Sequence, residues 1–490
     1  MRQNKSIKKN YIYNLIYQVY ILIIPILVTP YVSRILLSDG IGKYSFTNSI
    51  VSYFNLIAAL GFGIYAQRLI ARDSHDKHKQ SIDFWEIIIS RLFSSAISFI
   101  AYTIVILTNV CGQKYSVLLW VQSMQIIAVI FDITFLLQGN EEFGKIALRN
   151  FIIKSISIIL IFALIKKESD VTKYVFIQAA TILISNMSLW VYCKKMLDKV
   201  KIEELHPFRH IKPTFLLFIP TIAVSIYTTL DKTLIGFITK NDSLVGNYDN
   251  GEKLVKLSIT IISSLITVFI PRNATYYKDG KIDELKNNIS VLCKFVFLIG
   301  IPMTFGFIAI ADNLIPWYLG KEYGIDNLNN VILIIKILSP IIIIIGLGSV
   351  LGGALLIPIQ KDSRYTLAVS IGAIINFSLN FLFIKYYGSV GAAISTVIAE
   401  SFVTIFMIYF SRKYLDFSGV LKDLCKQLFA GIVMFIICYL VGKRFDSSMI
   451  NTFIIVVIGV VIYFSLILLF RESLIMEGLK EIKKKINTKK

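Results

Sequence analysis

The stretch YIYNLIYQVYILIIPILVTPYVS, Tyr11 to Ser33, decides how the rest of the chain is read. A helix needs about 20 apolar residues to cross a bilayer. This run is far longer than the apolar core of a secretory signal and ends without a small-residue cleavage site. It is therefore read as a retained first helix, preceded by the basic segment Arg2 to Lys9. The same reading extends to the whole chain of 490 residues, which is 56% apolar and only 17% charged, with mean hydropathy +0.69. Such values exclude an ordinary water-soluble enzyme. Fourteen spans of about 21 residues would use roughly 294 residues, about 60% of the chain, leaving only short connections.

Apolar spans fall near 11–33, 44–66, 84–108, 115–137, 146–165 and 174–192, then near 213–238, 252–271, 287–311, 328–358, 365–384, 389–410, 427–442 and 449–470. Fourteen crossings place both termini on one side, and the expected fold class is an all-α polytopic membrane protein. The segment 328–358 is too long for one straight span, but Pro340, the Gly346, Gly348, Gly352 and Gly353 cluster and Pro358 allow a bent or broken helix. The expected organisation is an N-terminal lobe over 1–192, a linker over 193–212, a second six-helix lobe over 213–410, two further helices over 411–470 and a basic tail over 471–490.

The chain carries 51 Lys and Arg against 31 Asp and Glu, a net charge of +20. In a soluble protein that balance would suggest nucleic acid. With both termini placed in the cytoplasm, inner segments hold about 33 cations and 17 anions, outer segments about 11 and 9, and the spans about 7 and 5. Most of the charge is thus the positive-inside bias, and a nucleic-acid partner is not expected. The longest outer loop, about 16 residues near Asp312 to Asn327, is too short for a separate catalytic domain.

No cofactor, metal or catalytic constellation is expected. Cys111, Cys193, Cys293, Cys425 and Cys438 are scattered without CxxC spacing. His75, His78, His206 and His210 lie in inner loops without HExxH spacing, and no GxxxxGK[ST] phosphate loop is present. The chain is read as a transporter and not an enzyme.

Charges inside spans cost about 2.5 to 3.5 kcal/mol each on insertion scales and need a reason. Here the cations are Arg91, Lys154, Lys232, Lys253, Lys256, Lys294 and Lys336, and the anions Glu86, Asp132, Asp231, Glu252 and Glu400. Snorkelling or local pairing covers Glu86 and the adjacent Asp231 and Lys232, and serves for Arg91 and Lys294 as well as function does. Lys154, Lys336 and Glu400 sit too deep for easy escape, so each should face a water-filled cavity or a partner. Repeated cations in a cavity favour an anionic cargo such as a phosphate. Arg34, just past the first span, can grip phosphate with two donors, or it is an ordinary interfacial arginine. The expected substrate-binding set is Arg34, Arg91, Lys154, Lys294 and Lys336. Asp132 and Glu400 are the ion-coupling candidates, while Pro25 and Pro30 mark either a bendable or a statically kinked first helix.

The halves echo one another. Ile24-Pro25 followed by Gly42 and Tyr44 corresponds to Ile219-Pro220 followed by Gly246 and Tyr248, and Arg91 corresponds to Lys294. Matched features of this kind suggest two six-helix lobes with a substrate path between them.

Four longer motifs carry a family resemblance. They are PYVSRILLSDGIGKYSFTNSIVSYFNLIAALGFGIYAQRLIAR (Pro30 to Arg72), FDITFLLQGNEEFGKIALRNFIIK (Phe131 to Lys154), LDKTLIGFITKNDSLVGNYDNGEKLVKL (Leu230 to Leu257) and GSVGAAISTVIAESF (Gly388 to Phe402). Together they resemble bacterial polysaccharide-repeat-unit flippases, the Wzx-like branch of the multidrug/oligosaccharidyl-lipid/polysaccharide (MOP) exporter superfamily. The resemblance implies two six-helix lobes in a MATE-like V-shape plus two C-terminal helices. It also implies a cargo of undecaprenyl-pyrophosphate-linked oligosaccharide, moved to the outer leaflet of the bacterial cytoplasmic membrane, with a polysaccharide polymerase of the same pathway as a candidate partner. By motif position Arg34, Asp132, Glu141, Arg149, Lys154, Asp231, Lys232, Glu252, Lys253 and Glu400 match family positions of the same kind, and several of these charges would only hold the lobes together. Phe135 and Leu136 depart from the Trp-Phe type pair of the family motif. The rival readings are a lipid II flippase, a drug or cation antiporter of the same superfamily, and a membrane-embedded polymerase or glycosyltransferase.

Overall fold

The computed structural model describes residues 7–476, so Arg2, Lys5 and most of the 471–490 tail lie outside the described residues. All regular elements among the described residues are helices. The chain forms two compact units, Met1–Gly246 and Asn247–Lys490, and the 193–212 linker belongs to the first.

The first unit contains α1 (Ile7–Ala59), α2 (Phe62–Arg72), α3 (Lys77–Leu107), α4 (Ser116–Ile130), α5 (Thr134–Gly139), α6 (Phe143–Leu164), α7 (Val171–Ser188), the short α8 (Cys193–Met196) and α9 (Ile211–Thr239). Helix α1 runs through Pro25 and Pro30 and turns instead at Leu37, whose φ is 55°. The start of α10 (Asp242–Thr267) packs on α1 at a reciprocal glycine contact. A Cβ on Gly42 would overlap the carbonyl oxygen of Asp242, and one on Gly246 would overlap that of Ser38. Asp242 precedes Gly246 by four residues, as Ser38 precedes Gly42, so the two glycines paired by the sequence echo meet directly. Apolar helices in lipid gain little by expelling water, and small residues that let backbones approach supply the close packing instead.

The second unit continues with α11 (Ile270–Lys278), α12 (Ile282–Leu319), α13 (Ile325–Leu338), α14 (Ile341–Gly348), α15 (Asp362–Ser411), α16 (Phe417–Gly442) and α17 (Met449–Leu469). The segment read as bent is bent: α13 and the continuation Ile341–Leu356 meet at 41° beside Pro340, and Ser349–Leu356 is a π-helix through Gly352 and Gly353. Helix α15 breaks at Gly388, where φ is 55° and a Cβ would be strained. Ten helical stretches are long and apolar enough to cross a membrane, and the bent pair is an eleventh. Dividing the rods Ile23–Arg72 and Asp362–Tyr414 at Leu37 and Gly388, and counting α9, makes the described residues roughly consistent with the expected fourteen.

Candidate functional site

In the first unit Arg91 is 2% exposed. Its Nη1 donates to the backbone carbonyl of Asp132, and the guanidinium lies 5.2 Å from the Phe135 ring and 6.0 Å from that of Phe62. Phe62, Phe84, Phe135, Leu136 and Leu189 form the buried cluster around it. Because α4 ends at Ile130 and α5 starts at Thr134, the Asp132 carbonyl lies in a gap between helices, and Arg91 satisfies it where no helical N–H can. The Asp132 carboxylate accepts from the N–H and hydroxyl of Thr134 at 3.0 and 2.6 Å, fixing the start of α5. Phe135 and Leu136, which depart from the family motif, are core residues of this cluster.

Arg34 is exposed one turn before the Leu37 break, and Lys154 is half-buried midway along α6. Arg149 Nη1 donates to Ser185 Oγ, tying α6 to α7. Glu141, with φ 59°, occupies the turn between α5 and α6. Asp231 is buried on α9, near Tyr53 of α1, whose hydroxyl shares a 3.0 Å hydrogen bond with Thr233; Lys232 is half-buried.

The second unit treats its charges as ion pairs. Lys294 meets Asp423 at 2.9 Å and donates to Ser473 Oγ at 3.1 Å, joining α12 to α16 and to the segment after α17. Lys336 donates to both carboxylate oxygens of Asp312, at 2.7 and 2.9 Å, which is the partner its depth demanded. Lys253 pairs with Asp249, and Lys256 with Glu252 at 2.6 Å, each one turn apart on α10. Glu400 is half-buried on α15 and close to Tyr365.

Three features escaped the sequence reading. On α15, Asn380 donates to Asn376 at 3.0 Å, and Asn376 approaches Thr396, which lies 3.3 Å from the Tyr248 hydroxyl. Two asparagines one turn apart in an apolar helix were the available signal. Between α12, α16 and α17 runs an apolar groove of about 410 Å³, lined by Pro302, Met303, Phe307, Met434, Val460 and Phe464.

The third feature is a buried knot where the linker meets α3. Glu86, read as snorkelling or paired, is fully buried and paired: it accepts from Arg209 and from His210 Nε2 at 2.6 Å each, and from the His206 N–H at 2.6 Å. His210 is buried too, unlike a solvated loop histidine, and its Nδ1 bonds the Tyr65 hydroxyl at 2.8 Å. Burial pushes the His210 imidazole below its usual range, against the pull of Glu86. Beside it, burial would raise the Asp73 carboxyl, but hydrogen bonds from Arg72 and Lys79 outweigh it and hold it at about 2. Asp83, Glu86 and His210 bring three ligand atoms within 4.8 Å of one another. Arg209 lies on both carboxylates, 3.1 Å from Asp83 and 2.6 Å from Glu86, so one guanidinium offsets part of their combined charge.

Many crossings, few deep charges and units with matched features define a secondary-transporter architecture. Residues 7–277 match the polysaccharide biosynthesis protein family, and the chain belongs to it. The putative O-antigen transporter of Escherichia coli K12 is 24% identical over 418 residues, covering 84% of this chain and 98% of its own. Among solved structures, the lipid II flippase MurJ in an inward closed conformation shares the fold with TM-score 0.74 at 18% identity, over 95% of this chain and 99% of its own. An inward-facing MATE family transporter of the MOP superfamily follows with TM-score 0.62 at 15% identity, over 81% and 97%. These relatives are transporters and flippases, and this chain is a multi-span membrane protein with their fold.

Proposed function

We propose that the chain is a flippase that carries lipid-linked oligosaccharide repeat units across the bacterial cytoplasmic membrane for surface polysaccharide assembly. The observation that carries the reading is the near full-length match to an O-antigen transporter on the fold of a lipid II flippase. Both termini and the linker are placed in the cytoplasm by the positive-inside bias, and the carrier proposed is undecaprenyl pyrophosphate. Arg34 and Lys154 are proposed to attract the pyrophosphate. Arg91, Lys294 and Lys336 are engaged with the Asp132 carbonyl, Asp423 and Asp312, and act on the cargo only when those contacts open. The lipid tail stays in the acyl layer, for which the apolar groove of the second unit is a compatible surface. Protonation or cation binding at Glu400, with Asp132 as the second candidate, couples the cycle to an ion gradient, and a polymerase receives the product.

The test is complementation in a bacterium lacking its repeat-unit flippase. Restored surface polysaccharide, with loss of the accumulated inward-facing lipid-linked repeat, is the expected result. Failure with several compatible glycans, combined with rescue of a lipid II flippase defect, would replace this reading by its rival. Transport at full rate and with unchanged gradient dependence in both Glu400→Gln and Asp132→Asn proteins would remove the coupling assignment.

A further inference from the structure

The linker after α7 folds back along α3. Helix α3 exposes Ile89, Leu92, Phe93, Ile97, Ile100 and Ile104, apolar residues three or four apart that make one flank facing the acyl chains. Phe208 of the linker is 65% exposed and sets its ring edge-on to Phe93 of that flank, with centroids 5.9 Å apart. An aromatic ring held there extends the apolar flank of α3 onto the linker.

The short 3-10 turns Ile202–Glu204 and Pro207–His210 leave backbone polar groups without partners of their own, and beside an apolar flank these need protein partners. Two are supplied by α3: the His206 N–H donates to Glu86, and the Pro207 carbonyl accepts from Ser90 Oγ at 2.6 Å. The buried Glu86 and His210, with the half-exposed Arg209, thus hold the Pro207–His210 turn against α3 with Phe208 outward.

Charge completes the pattern. Lys194, Lys195, Lys199, Lys201 and Lys212 are all exposed on the segment that flanks Phe208. Of its anions, Asp198 is taken by Lys77 at 2.7 Å and Glu204 by His78 at 2.8 Å, which leaves Glu203. Ile202, 86% exposed, adds a second apolar residue among these lysines. Apolar side chains between uncompensated cations match the two layers of a membrane surface, acyl chains below and anionic phosphates above.

We infer that the 193–212 linker is an in-plane membrane anchor that binds anionic phospholipid headgroups of the adjoining leaflet through its lysines, with Phe208 seated in the acyl layer. The lipid binding is separate from cargo recognition, since none of these residues belongs to the proposed cargo set.

Hydrogen exchange of the 197–210 backbone in lipid nanodiscs tests this without a transport assay. With phosphatidylglycerol present, exchange is expected to be roughly tenfold slower than in pure phosphatidylcholine, in keeping with several lysines acting together. A Lys199→Gln, Lys201→Gln, Lys212→Gln protein should lose that lipid dependence while keeping the melting temperature of the parent in detergent. Phe208→Ser should speed exchange in both lipids. Equal exchange in the two lipids, or an unchanged lipid dependence in the triple variant, overturns the inference. So does protection seen in native membranes but in neither nanodisc, which would assign the surface to a protein partner.

Discussion

Arg91 and Lys294 occupy matched positions in the two halves of the sequence, yet the two units bury them by different means. Arg91 is embedded among aromatic rings and hands one donor to a carbonyl in a helix gap. Lys294 faces a carboxylate, with Ser473 and Lys426 completing the site. A guanidinium tolerates the first environment because it is weakly hydrated and stacks on rings, whereas a compact ammonium requires a counter-charge. Positions matched in the sequence thus carry a backbone clasp in one unit and an ion pair in the other. Neither arrangement presents the cation as a preformed phosphate site.

The contrast breaks most readily at Arg91. Arg91→Ala removes a large side chain from a closed core and strands the Asp132 carbonyl, and it should destabilise the protein by about 3 to 5 kcal/mol. The measurement is unfolding of the purified protein in detergent. If Arg91→Ala instead kept its stability and lost transport, the cation would belong to the cargo path and the clasp reading would fail. Lys294→Met should cost less, about 2 to 3 kcal/mol, because Lys426 remains 3.6 Å from Asp423. Adding Asp423→Asn should recover part of that loss, a coupling that a double-mutant cycle reads directly. Recovery from Asp132→Asn in the Arg91→Ala background should be smaller, because Arg91 bonds the Asp132 carbonyl and not its carboxylate.

Acid sharpens the comparison from another side, because the first unit also carries the histidine knot. The folded-state pKa of His210 is depressed from 6.5, so the unfolded linker takes up the proton first. The stability that His210 contributes is therefore full above about pH 6.5 and falls as pH drops below it. Asp73, held at about 2 against 3.8, adds a second loss only below pH 3.8. The melting temperature of the parent relative to His210→Gln should thus fall as pH drops below 6.5, while the loss below pH 3.8 is common to both proteins. A parent-to-variant difference that stays constant across pH 6.5 would overturn the assignment to His210.

Periodic apolarity made the fourteen crossings legible, and Pro340 with its neighbouring glycines made the bent helix legible, since both depend on local chemistry. The reciprocal approach of Gly42 and Gly246 was legible as a pair of matched residues, although not as a contact. The Glu86 knot was not, because its partners Arg209 and His210 lie more than 120 residues away and no spacing rule links them. Glu86 taken alone looks like a carboxylate near a helix end. Lys336 is a different case, where depth pointed to a water-filled cavity or a partner, and Asp312 of α12 is within bonding distance.

That last pair also yields the smallest effect and the sharpest discrimination. Lys336 and Asp312 keep 30% and 51% of their side-chain surfaces exposed, unlike the enclosed Lys294 and Asp423. An ion pair that open contributes under about 1 kcal/mol, so Lys336→Met should barely move the melting temperature. Transport then separates two roles that stability cannot. If Lys336 only neutralises Asp312, the Lys336→Met, Asp312→Asn double variant should flip lipid-linked oligosaccharide at the parental rate. If Lys336 leaves Asp312 to meet the pyrophosphate, the double variant should remain as defective as Lys336→Met, and Asp312→Asn alone should not slow the cycle, because it frees the lysine. Only in the second case does a deep cation in the second unit differ in kind from Lys294, and the rates of these three proteins decide it.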